Sequence, residues 1–580
     1  MNLVSVRKAL FSATALMLSA VVYAQFPGGG FPGGGGGFPG GGFPGGGFPG
    51  GFGGRFPVQD QEEGGQMPGG FPGGGFGGGF GMGTEYDPAS TRNDVEFSSS
   101  NLPIVIIETG GKSLTNREKT QATMKIIDNG NKRNKLSDRP NGFDGNIKIK
   151  LRGNSSLFFD QKRFTFETTS AEGKELDVEL LGMPAEHDWV LLAPYNDVSM
   201  MRDVFAFDMW NNMGHWAPHT HYCEVVMNGK YIGVYILCEK IKRGKNRIDI
   251  AKLKPEDNSG IEITGGYIVR VDPPDEGEKS FTSQVPGIMN TNVGGGFGGF
   301  GGGMGGFGGM GGFGERNTVT WSILYPKAKN ITQEQYDYIS DYVNTVEKVI
   351  QSDDFADPEK GYAKYISVSS FVDYFIHTEL SMNADGLKRS TYFYKTKQNE
   401  DGTGGKLHAG TVWDYNLAYG NCNFANANRT DAWVYEGSET NPTPAMWKRL
   451  TEDPAFMDKV KARWQELRKG YLSNESINRF IDEHAALLQE SQARQYTKYS
   501  DLLVPKRDEQ NAAQGQPNGG FGGFGGFGGG GGFGGFGGFG GGGAAGMFSA
   551  YTVASYDEEI EVLKKWFADR IAFLDKNWGK

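Results

Sequence analysis

Two acidic residues in the second half of the chain stand in short segments whose composition could support chemistry. Asp385 lies in NADGLKRS and precedes Gly386, whereas Asp414 follows a short apolar run in TVWDYN. A carboxylate at the end of an apolar strand can point into a cleft, where it can bind a divalent cation or accept a proton. Both residues also have a structural interpretation, because aspartate is common in turns and at loop caps.

Other potential sites have weaker patterns. His215, His219 and His221 cluster in GHWAPHTHY, but spacings of four and two across a loop with proline suit neither a zinc finger nor an HExxH helix. We expect structural or solvent-facing roles for these histidines. The sequence has no GxSxG motif of a serine hydrolase, and its GGFGG runs lack the lysine and the strand-to-helix context of a phosphate-binding loop.

The elements that must position these residues divide the chain into a strand-rich half and a helix-rich half. From about residue 100 to 272, apolar patterning predicts successive strands, with one helix over Ser199 to Met213. Helices dominate from about residue 330, where Thr332-x-x-Gln335 is a capping-box pattern, and a helical apolar repeat predicts a last helix over Tyr556 to Trp578. These features predict an α+β fold with two lobes.

Three tracts of glycine and phenylalanine interrupt this pattern, at about residues 26–83, 287–314 and 516–546. Such sequence buries too little apolar surface to offset the backbone entropy lost on folding. We predict a disordered segment over residues 25–94 and disordered surface-loop insertions at 287–314 and 516–546 of one domain, residues 95–580. The first tract is either a flexible spacer or an adhesive, self-associating segment that uses its regularly spaced phenylalanines.

The N-terminus has the pattern of a secretory signal peptide. Arg7 and Lys8 precede an apolar run from Leu10 to Val22, and Val22-Tyr23-Ala24 places small residues before a cleavage site. Residues 1–24 are therefore predicted to be removed, and the apolar run is too short to remain as a transmembrane anchor. The mature protein is expected to be secreted, periplasmic or located at the cell surface.

The charge and the cysteines of the chain argue against nucleic-acid binding and against a disulfide framework. The formal net charge is −10, and the nearly uncharged glycine tracts place it on the folded part, which argues against general affinity for nucleic acid. Cys223 and Cys238 flank a hairpin expected to turn at Asn228-Gly229. A two-residue turn would pair Cys223 with about Val234 and leave Cys238 out of register. No disulfide framework is predicted.

An ordered series of segments resembles the spore-coat CotH family of atypical kinases. It begins with LRGNSS, followed by the Lys162-Arg163 pair, and continues through LLGMPAEHDWVLLAPYNDVSMMRD, EVVMNGKYIGVYILCEKI, GGYIVRVD, NADGLKRSTYFYK and TVWDYNLAYGN. The resemblance covers roughly residues 100–578 apart from the glycine insertions. It implies a two-lobed atypical protein-kinase-like fold that binds ATP with Mg²⁺ or Mn²⁺ and phosphorylates proteins.

The resemblance also implies roles for individual residues. Asp385 corresponds to the catalytic-loop carboxylate that orients the substrate hydroxyl, and Asp414 corresponds to the metal-binding aspartate. Lys162 is the first candidate for the cation that contacts the phosphates, and Arg163 is the second. Glu239 is the expected partner of Lys162. Three further residues are implied to lie where the first lobe approaches the nucleotide: Arg152, Ser155 and Ser156.

This sequence departs from the family pattern in two places. Asn416 stands where many relatives carry a second acidic residue, although its carbonyl oxygen can still coordinate Mg²⁺. The segment around Asp385 lacks the His-Arg-Asp signature and the downstream Asn of ordinary kinases.

Four of these residues also have purely structural interpretations. One of Lys162 and Arg163 is expected to face solvent only, because they precede an alternating strand. Glu239 is also consistent with an ordinary surface ion pair. Arg202 is expected to anchor a packing contact through Asp197 rather than to act directly.

Two classes of function follow. The first is an exported kinase that transfers the γ-phosphate of ATP to serine or threonine hydroxyls of secreted or surface proteins. The second is a non-catalytic structural or adhesive surface protein that uses the same fold and associates through its glycine tracts. A working site should retain Lys162, Glu239, Asp385 and Asp414 together, as this sequence does, whereas a decayed site should have lost at least one of them.

Overall fold

The computed structural model describes most of the chain outside its glycine tracts. The described residues are 84–275, 277–284, 319–437, 442–503 and 549–579, apart from the side chains of Ser155 and Phe158. The predicted signal peptide, most of the 25–94 segment and the insertions at 287–314 and 516–546 lie outside the described residues. These assignments therefore stay predictions.

Strands dominate the first half of the described chain. Their bounds are β1 Glu85–Tyr86, β2 Ser99–Ser100, β3 Ile104–Glu108, β4 Leu114–Thr115, β5 Thr120–Ile127, β6 Asn134–Lys135, β7 Phe143–Arg152, β8 Arg163–Thr169, β9 Val178–Leu180, β10 Met183–Glu186, β11 Asp188–Leu192, β12 Thr220–Met227, β13 Lys230–Glu239, β14 Tyr267–Val271, β15 Lys279–Thr282, β16 Thr320–Tyr325, β17 Thr391–Lys395 and β18 Leu407–Ala409.

Helices dominate the second half. Their bounds are α1 Arg202–Asn212, α2 Gln333–Gln351, α3 Val368–Ser381, α4 Ala445–Thr451, α5 Pro454–Arg468, α6 Asn474–Lys498 and α7 Tyr556–Trp578. The predicted α+β class is therefore confirmed. No helix in the described ranges is both long enough and apolar enough to cross a membrane.

Seven strands of the first half close into a barrel. The hydrogen-bonded order is β11-β13-β12-β3-β5-β7-β8, and β8 pairs with β11 to complete the circle. The barrel interior is apolar, with Phe164, Phe166 and Trp189 in one buried cluster. The strand-rich half is thus a closed barrel that leaves none of these strands with an unpaired edge. That the barrel and the helical half form the two lobes of a kinase-like fold stays a prediction.

The hairpin of β12 and β13 shows how local sequence sets the register. Asn228 and Gly229 have φ of 49° and 75°, which suits a two-residue turn that requires positive φ at both central positions. A bulge between Val225 and Val226 then places Cys223 opposite Tyr235 rather than Val234, so the predicted register is wrong by one residue. The three cysteines of the chain are free and buried.

A second sheet and the helices form the rest of the core. Its strand order is β15-β16-β14-β17-β18. One apolar cluster joins this sheet, the helices and the outer face of the barrel, where it includes Val190, Leu192 and Ile236. Helix α6 packs against β13, and α3 packs against α1, α5 and α7. This shared core fixes the barrel relative to the segments that carry Asp385 and Asp414.

The predictions for α2 and α7 agree with the structure. Thr332 and Gln335 form the predicted capping box, and α7 has the predicted bounds. Helix α1 begins at Arg202 rather than at Ser199. Oδ2 of Asp197 accepts a hydrogen bond from the Arg202 amide at 2.9 Å, and Met200 has φ of 60°. The residues before Arg202 therefore form a capping turn instead of a first helical turn.

The strands β15 and β16 lie on either side of the second glycine tract. Thr282 pairs with Thr320, and the amide of Ser283 donates to the carbonyl oxygen of Val319 at 2.8 Å. The two ends of the chain segment 285–318 are therefore held together by backbone hydrogen bonds that do not involve that segment.

Replacing residues 285–318 with Asn-Gly should leave the fold intact. Since the flanking strands are already paired, a shorter connection lowers the entropy cost of closing the loop. We expect an unchanged circular dichroism spectrum and a melting temperature at least equal to that of the wild type. As a control, Phe281→Ala, which removes a ring that is 8% exposed, should destabilise the protein by about 3 kcal/mol. A clear drop in melting temperature for the shortened chain would contradict the prediction.

A buried carboxyl group joins α2 to this hairpin. Glu347 is 2% exposed; its carboxyl oxygens accept hydrogen bonds from Ser283 Oγ at 2.6 Å and Trp321 Nε1 at 3.1 Å. Burial raises the pKa of Glu347 from 4.5 to about 7, although both hydrogen bonds lower it. The folded protein therefore retains a proton that the unfolded chain loses, and this group reduces stability as pH rises from about 4.5 to about 7.

Glu347→Gln should remove this pH dependence. At 1.36 kcal/mol per pKa unit, the variant should gain up to about 3 kcal/mol relative to the wild type between pH 5 and pH 8. The measurement is the melting temperature of both proteins across this range. A difference between them that stays constant with pH would show that Glu347 is ionised in the folded protein near pH 5.

Candidate functional site

Asp414 lies where the barrel meets the helical half. Its Oδ1 contacts Arg163 Nη1 at 3.2 Å, and its Oδ2 accepts a hydrogen bond from Ser390 Oγ at 3.2 Å. The Asp414 side chain is 34% exposed. The residue does not end a strand as predicted, because β18 stops at Ala409 and residues 410–415 are irregular. Its carboxylate is nevertheless partly open to solvent and held by a cation.

Asp385 lies in a turn directly after α3. The side chain of Asn383 accepts a hydrogen bond from the Asp385 amide at 3.2 Å and donates to the carbonyl oxygen of Asp414 at 3.3 Å. Burial raises the pKa of the Asp385 carboxyl, and the negative charge of Asp414 adds to this, whereas Arg389 and Lys388 oppose it. The structure thus brings the two predicted aspartates into one electrostatic environment.

Two more carboxylates join this cluster, and neither was predicted from the sequence. Asp272, just after β14, accepts a hydrogen bond from Ser390 Oγ at 3.4 Å. Burial raises its pKa to about 6, against the effect of Arg270 and Arg389. Asp203 accepts a hydrogen bond from the amide of Tyr415 at 2.6 Å, and burial raises its pKa to about 7. For Asp272 the sequence held a signal, because it ends the apolar segment GGYIVRV.

The cation that contacts Asp414 is Arg163, the second candidate, rather than Lys162. Nζ of Lys162 donates instead to the carbonyl oxygens of Leu157 and Phe159, at 2.8 and 2.5 Å. Successive residues of a strand point to opposite faces. Arg163 therefore lies on the outer face of the barrel, toward Asp414, and Lys162 points away.

Arg152 lies beside Arg163 on the neighbouring strand. The two residues are directly paired between β7 and β8, and the Arg152 guanidinium stacks over the Trp413 ring at 4.7 Å. This contact places a second cation next to the Asp414 segment, whereas the implied role of Arg152 at the nucleotide stays a prediction.

Glu239 does not pair with Lys162. Its Oε2 accepts hydrogen bonds from the amide and Nδ1 of His219, at 3.0 and 2.8 Å, and its Oε1 lies 3.7 Å from Nε of Arg247. Among the described residues, Lys162 and Glu239 form no ion pair with each other. Glu239 is opposite Trp189, several residues along the barrel from the strand end that carries Arg163, so the predicted partnership is wrong.

The remaining predicted residues divide between the site and its surroundings. Asn416 donates through Nδ2 to Oδ1 of Asn196 at 3.0 Å, and its backbone carbonyl oxygen accepts a hydrogen bond from Asn421 at 2.8 Å; its side-chain oxygen is the atom that would serve as a metal ligand. Ser156 is buried, and its hydroxyl lies against Gly153 rather than in the carboxylate cluster. The backbone of Ser155 begins a short 3-10 helix, and its side chain lies outside the described residues.

The histidine cluster has structural partners. His215 bonds to Asp373 at 2.7 Å and stacks on Trp210 at 4.2 Å, and His219 bonds to Glu239. Among the described residues, the group with metal-ligand spacing is a different one: Asp177, Glu186 and His187.

Comparison with protein-family models matches residues 149–574 to the family described as CotH kinase protein. The match spans both aspartates and Arg163, and it covers most of the chain. The chain belongs to the CotH kinase family. No curated protein matches it closely enough to report. The family assignment predicted from the six segments is therefore confirmed, and it makes this chain a kinase-like protein.

Backbone strain concentrates in the two CotH segments that carry the aspartates. Non-glycine residues with positive φ include Leu387 and Ser390 in one segment and Asp414 and Tyr419 in the other, at 46° to 69°. Each such residue costs of order 1 kcal/mol, and such residues collect at functional sites where the surroundings enforce the conformation. The strain supports a functional rather than a purely structural role for these segments.

The donor set of this CotH site fits a divalent cation. Asp272 and Asp414 share the single hydroxyl of Ser390, which can donate only one proton at a time. Asp272 also accepts a hydrogen bond from the Ser390 amide at 3.4 Å and lies 3.7 Å from Nε of Arg270, and Arg163 contacts Asp414. Carboxylate and amide oxygens are the ligands that Mg²⁺ prefers, and Asp272, Asp414 and Asn416 would hold the ion.

Asp414→Gly and Asp414→Ala should differ in stability although both remove the carboxylate. Asp414 has a φ of 60°. Glycine adopts this conformation without steric strain because it has no Cβ atom, whereas the Cβ atom of alanine crowds the following carbonyl oxygen. The glycine variant should therefore be more stable than the alanine variant by about 1 kcal/mol, measured by urea unfolding. Equal stabilities would mean that the residue at this position does not have a left-handed conformation.

Proposed function

We propose that this CotH family member is an exported atypical kinase. It transfers the γ-phosphate of ATP to serine or threonine hydroxyls of secreted or cell-surface proteins, with Mg²⁺ or Mn²⁺. The observation that carries the proposal is the contact between Arg163 and Asp414, with Asp385 alongside. Phosphoryl transfer depends mainly on positioning and on neutralising charge, and this arrangement offers a phosphate-binding cation, metal ligands and a carboxylate for the acceptor hydroxyl.

Each residue has a defined role in the proposed reaction. Asp414, with Asp272 and Asn416, would hold the metal ion, which would supply positive charge to the phosphates, and Arg163 and Arg152 contribute further positive charge. Asp385 accepts a hydrogen bond from the acceptor hydroxyl and orients it. The hydroxyl oxygen forms a bond to the γ-phosphorus, the bond to the β–γ bridging oxygen breaks, ADP leaves, and the hydroxyl proton passes to Asp385.

The proposal also covers the arrangement of the fold and the location of the protein. We propose that the barrel and the helical half are the two lobes of a kinase-like fold, because the Arg163–Asp414 contact joins a barrel strand to the second half. Export rests on the pattern of residues 1–24. An exported kinase would act on proteins that are secreted or located at the cell surface.

One observation favours a second function. Lys162 and Glu239 do not form the ion pair that the family resemblance implies. A non-catalytic surface protein, structural or adhesive, would tolerate that loss and would associate through the glycine tracts. The two functions differ in whether the chain binds a metal–nucleotide complex.

The mature wild-type chain should bind ATP and transfer phosphate. Two variants should each lose a different one of these two activities. Asp385→Asn should retain ATP affinity but lose about 100-fold or more in transfer rate, since it removes the base. Asp414→Ala should lose Mg²⁺- or Mn²⁺-dependent ATP binding. We would measure binding by calorimetry and transfer by mass spectrometry of the chain itself and of casein.

Asp337→Asn serves as the control, because Asp337 is an exposed residue of α2. It should match the wild type in both assays. A wild-type chain that neither binds ATP nor transfers phosphate with either metal would favour the structural function. Full activity in Asp385→Asn would remove that residue from the mechanism without affecting the family assignment.

A further inference from the structure

The last helix of the described chain, α7, contacts both segments that carry the predicted catalytic aspartates. It follows the third glycine tract and so is far in sequence from both of them. Two charged residues of this helix are almost fully buried: Glu559 is 1% exposed and Arg570 is 0% exposed. Burying a charge is costly unless it is paired and hydrogen-bonded, so the partners of these two residues indicate what the helix does.

Glu559 acts on the Asp414 segment through Arg202. Its Oε1 accepts a hydrogen bond from Arg202 Nη1 at 2.7 Å. The same guanidinium donates through Nε to the carbonyl oxygen of Ala418 at 3.1 Å, four residues after Asp414. Tyr551, just before α7, completes the group, because its hydroxyl lies 2.7 Å from Arg202 and 3.1 Å from Glu559.

Arg570 acts on the Asp385 segment through Glu379. Its Nε and Nη2 donate to the carbonyl oxygen of Glu379 at 2.9 and 2.6 Å, and Nη2 lies 3.3 Å from Oε2 of the same residue. Nη1 donates to the carbonyl oxygens of Thr430 and Ala432. Glu379 is in the last turn of α3, six residues before Asp385, so Arg570 fixes the helix end from which the Asp385 turn departs.

Aromatic contacts of α7 hold the same region. A Cβ atom on Gly420 would lie 2.5 Å from Cδ1 of Trp566, so the Asp414 segment passes directly against this ring. The ring of Phe567 lies 5.0 Å from that of Tyr419. The amide of Tyr419 in turn donates to the carbonyl oxygen of Ser381 at 2.7 Å, which joins the two aspartate segments beneath α7.

We propose that Glu559 and Arg570 are positioning residues of the catalytic site, with separate effects on its two halves. Glu559 acts through Arg202 on the segment that binds metal and nucleotide. Arg570 acts through Glu379 on the segment that orients the acceptor hydroxyl. The inference rests on the proposed kinase function, and it assigns to a helix distant in sequence a part in both substrate binding and turnover.

The test is a comparison of Glu559→Gln and Arg570→Lys in the full mature chain. Glu559→Gln should weaken affinity for Mn²⁺–ATP by about 10-fold, because a shifted Asp414 segment misplaces a ligand. Arg570→Lys keeps the positive charge but loses the fork of donors, and it should lower the transfer rate by about 10-fold with ATP affinity unchanged. Affinity is measured by calorimetry and rate by single-turnover transfer to casein.

A matched control lies on the same helix. Lys565 is 76% exposed and, within the part of the chain that the structure describes, forms an ion pair with Asp569 alone, so Lys565→Ala should leave both constants unchanged. Melting temperatures of all variants report general destabilisation separately. Two outcomes with an active wild type would overturn the positioning roles but not the kinase function. In the first, both variants keep wild-type ATP affinity and transfer rate. In the second, both variants lose affinity and rate together, in proportion to their loss of stability.

A milder variant keeps the test decisive if Glu559→Gln does not fold. Tyr551→Phe removes only the hydroxyl between Arg202 and Glu559, and it should weaken ATP affinity in the same direction by a smaller factor. Unchanged affinity in a folded Tyr551→Phe protein would overturn the Glu559 assignment. A wild-type chain without ATP binding or transfer would instead overturn the kinase function on which the inference depends.

Discussion

The structure depends on one buried guanidinium. Arg202 is fully enclosed, and its partners come from three separate parts of the chain: Asp197 in the preceding turn, Ala418 and Tyr419 after Asp414, and both Tyr551 and Glu559 at the start of the last segment. A buried arginine is tolerated only when its donors are satisfied. Each of these segments must therefore reach its place before the charge is stabilised, so this contact links the folding of the C-terminal helix to the geometry of the site.

The carboxylate cluster presents the opposite electrostatic problem. Asp203, Asp272, Asp385 and Asp414 lie together, and burial raises the pKa of the first three, against the nearby arginines. Such an arrangement is unfavourable for the folded protein, because like charges are held in a region of low dielectric. A bound divalent cation would relieve it. The cluster therefore does not contribute to stability by itself, and the positive φ of Asp414 adds a further cost at the same place.

Local features were predictable from the sequence, and non-local ones were not. The capping box at Thr332, the bounds of α7 and the turn at Asn228-Gly229 depend on neighbouring residues. The choice between Lys162 and Arg163 depends on where a strand begins, since one residue reverses the face. Closure of the barrel needs a parallel contact between β3 and β12, and Asp203 joins the site only through the packing of α1. No local pattern encodes those contacts.

The positions of the glycine tracts follow from the same distinction. The second tract joins two strands whose ends are already hydrogen-bonded, so its length changes the closure entropy only slowly. The third tract separates α6 from α7. Docking of α7 therefore closes a long loop, and the entropy lost in closing it opposes docking. Its docking energy comes from buried aromatic contacts and from the ion pairs of Glu559 and Arg570. The chain can therefore carry low-complexity tracts, because the elements that flank them are fixed by contacts within the core.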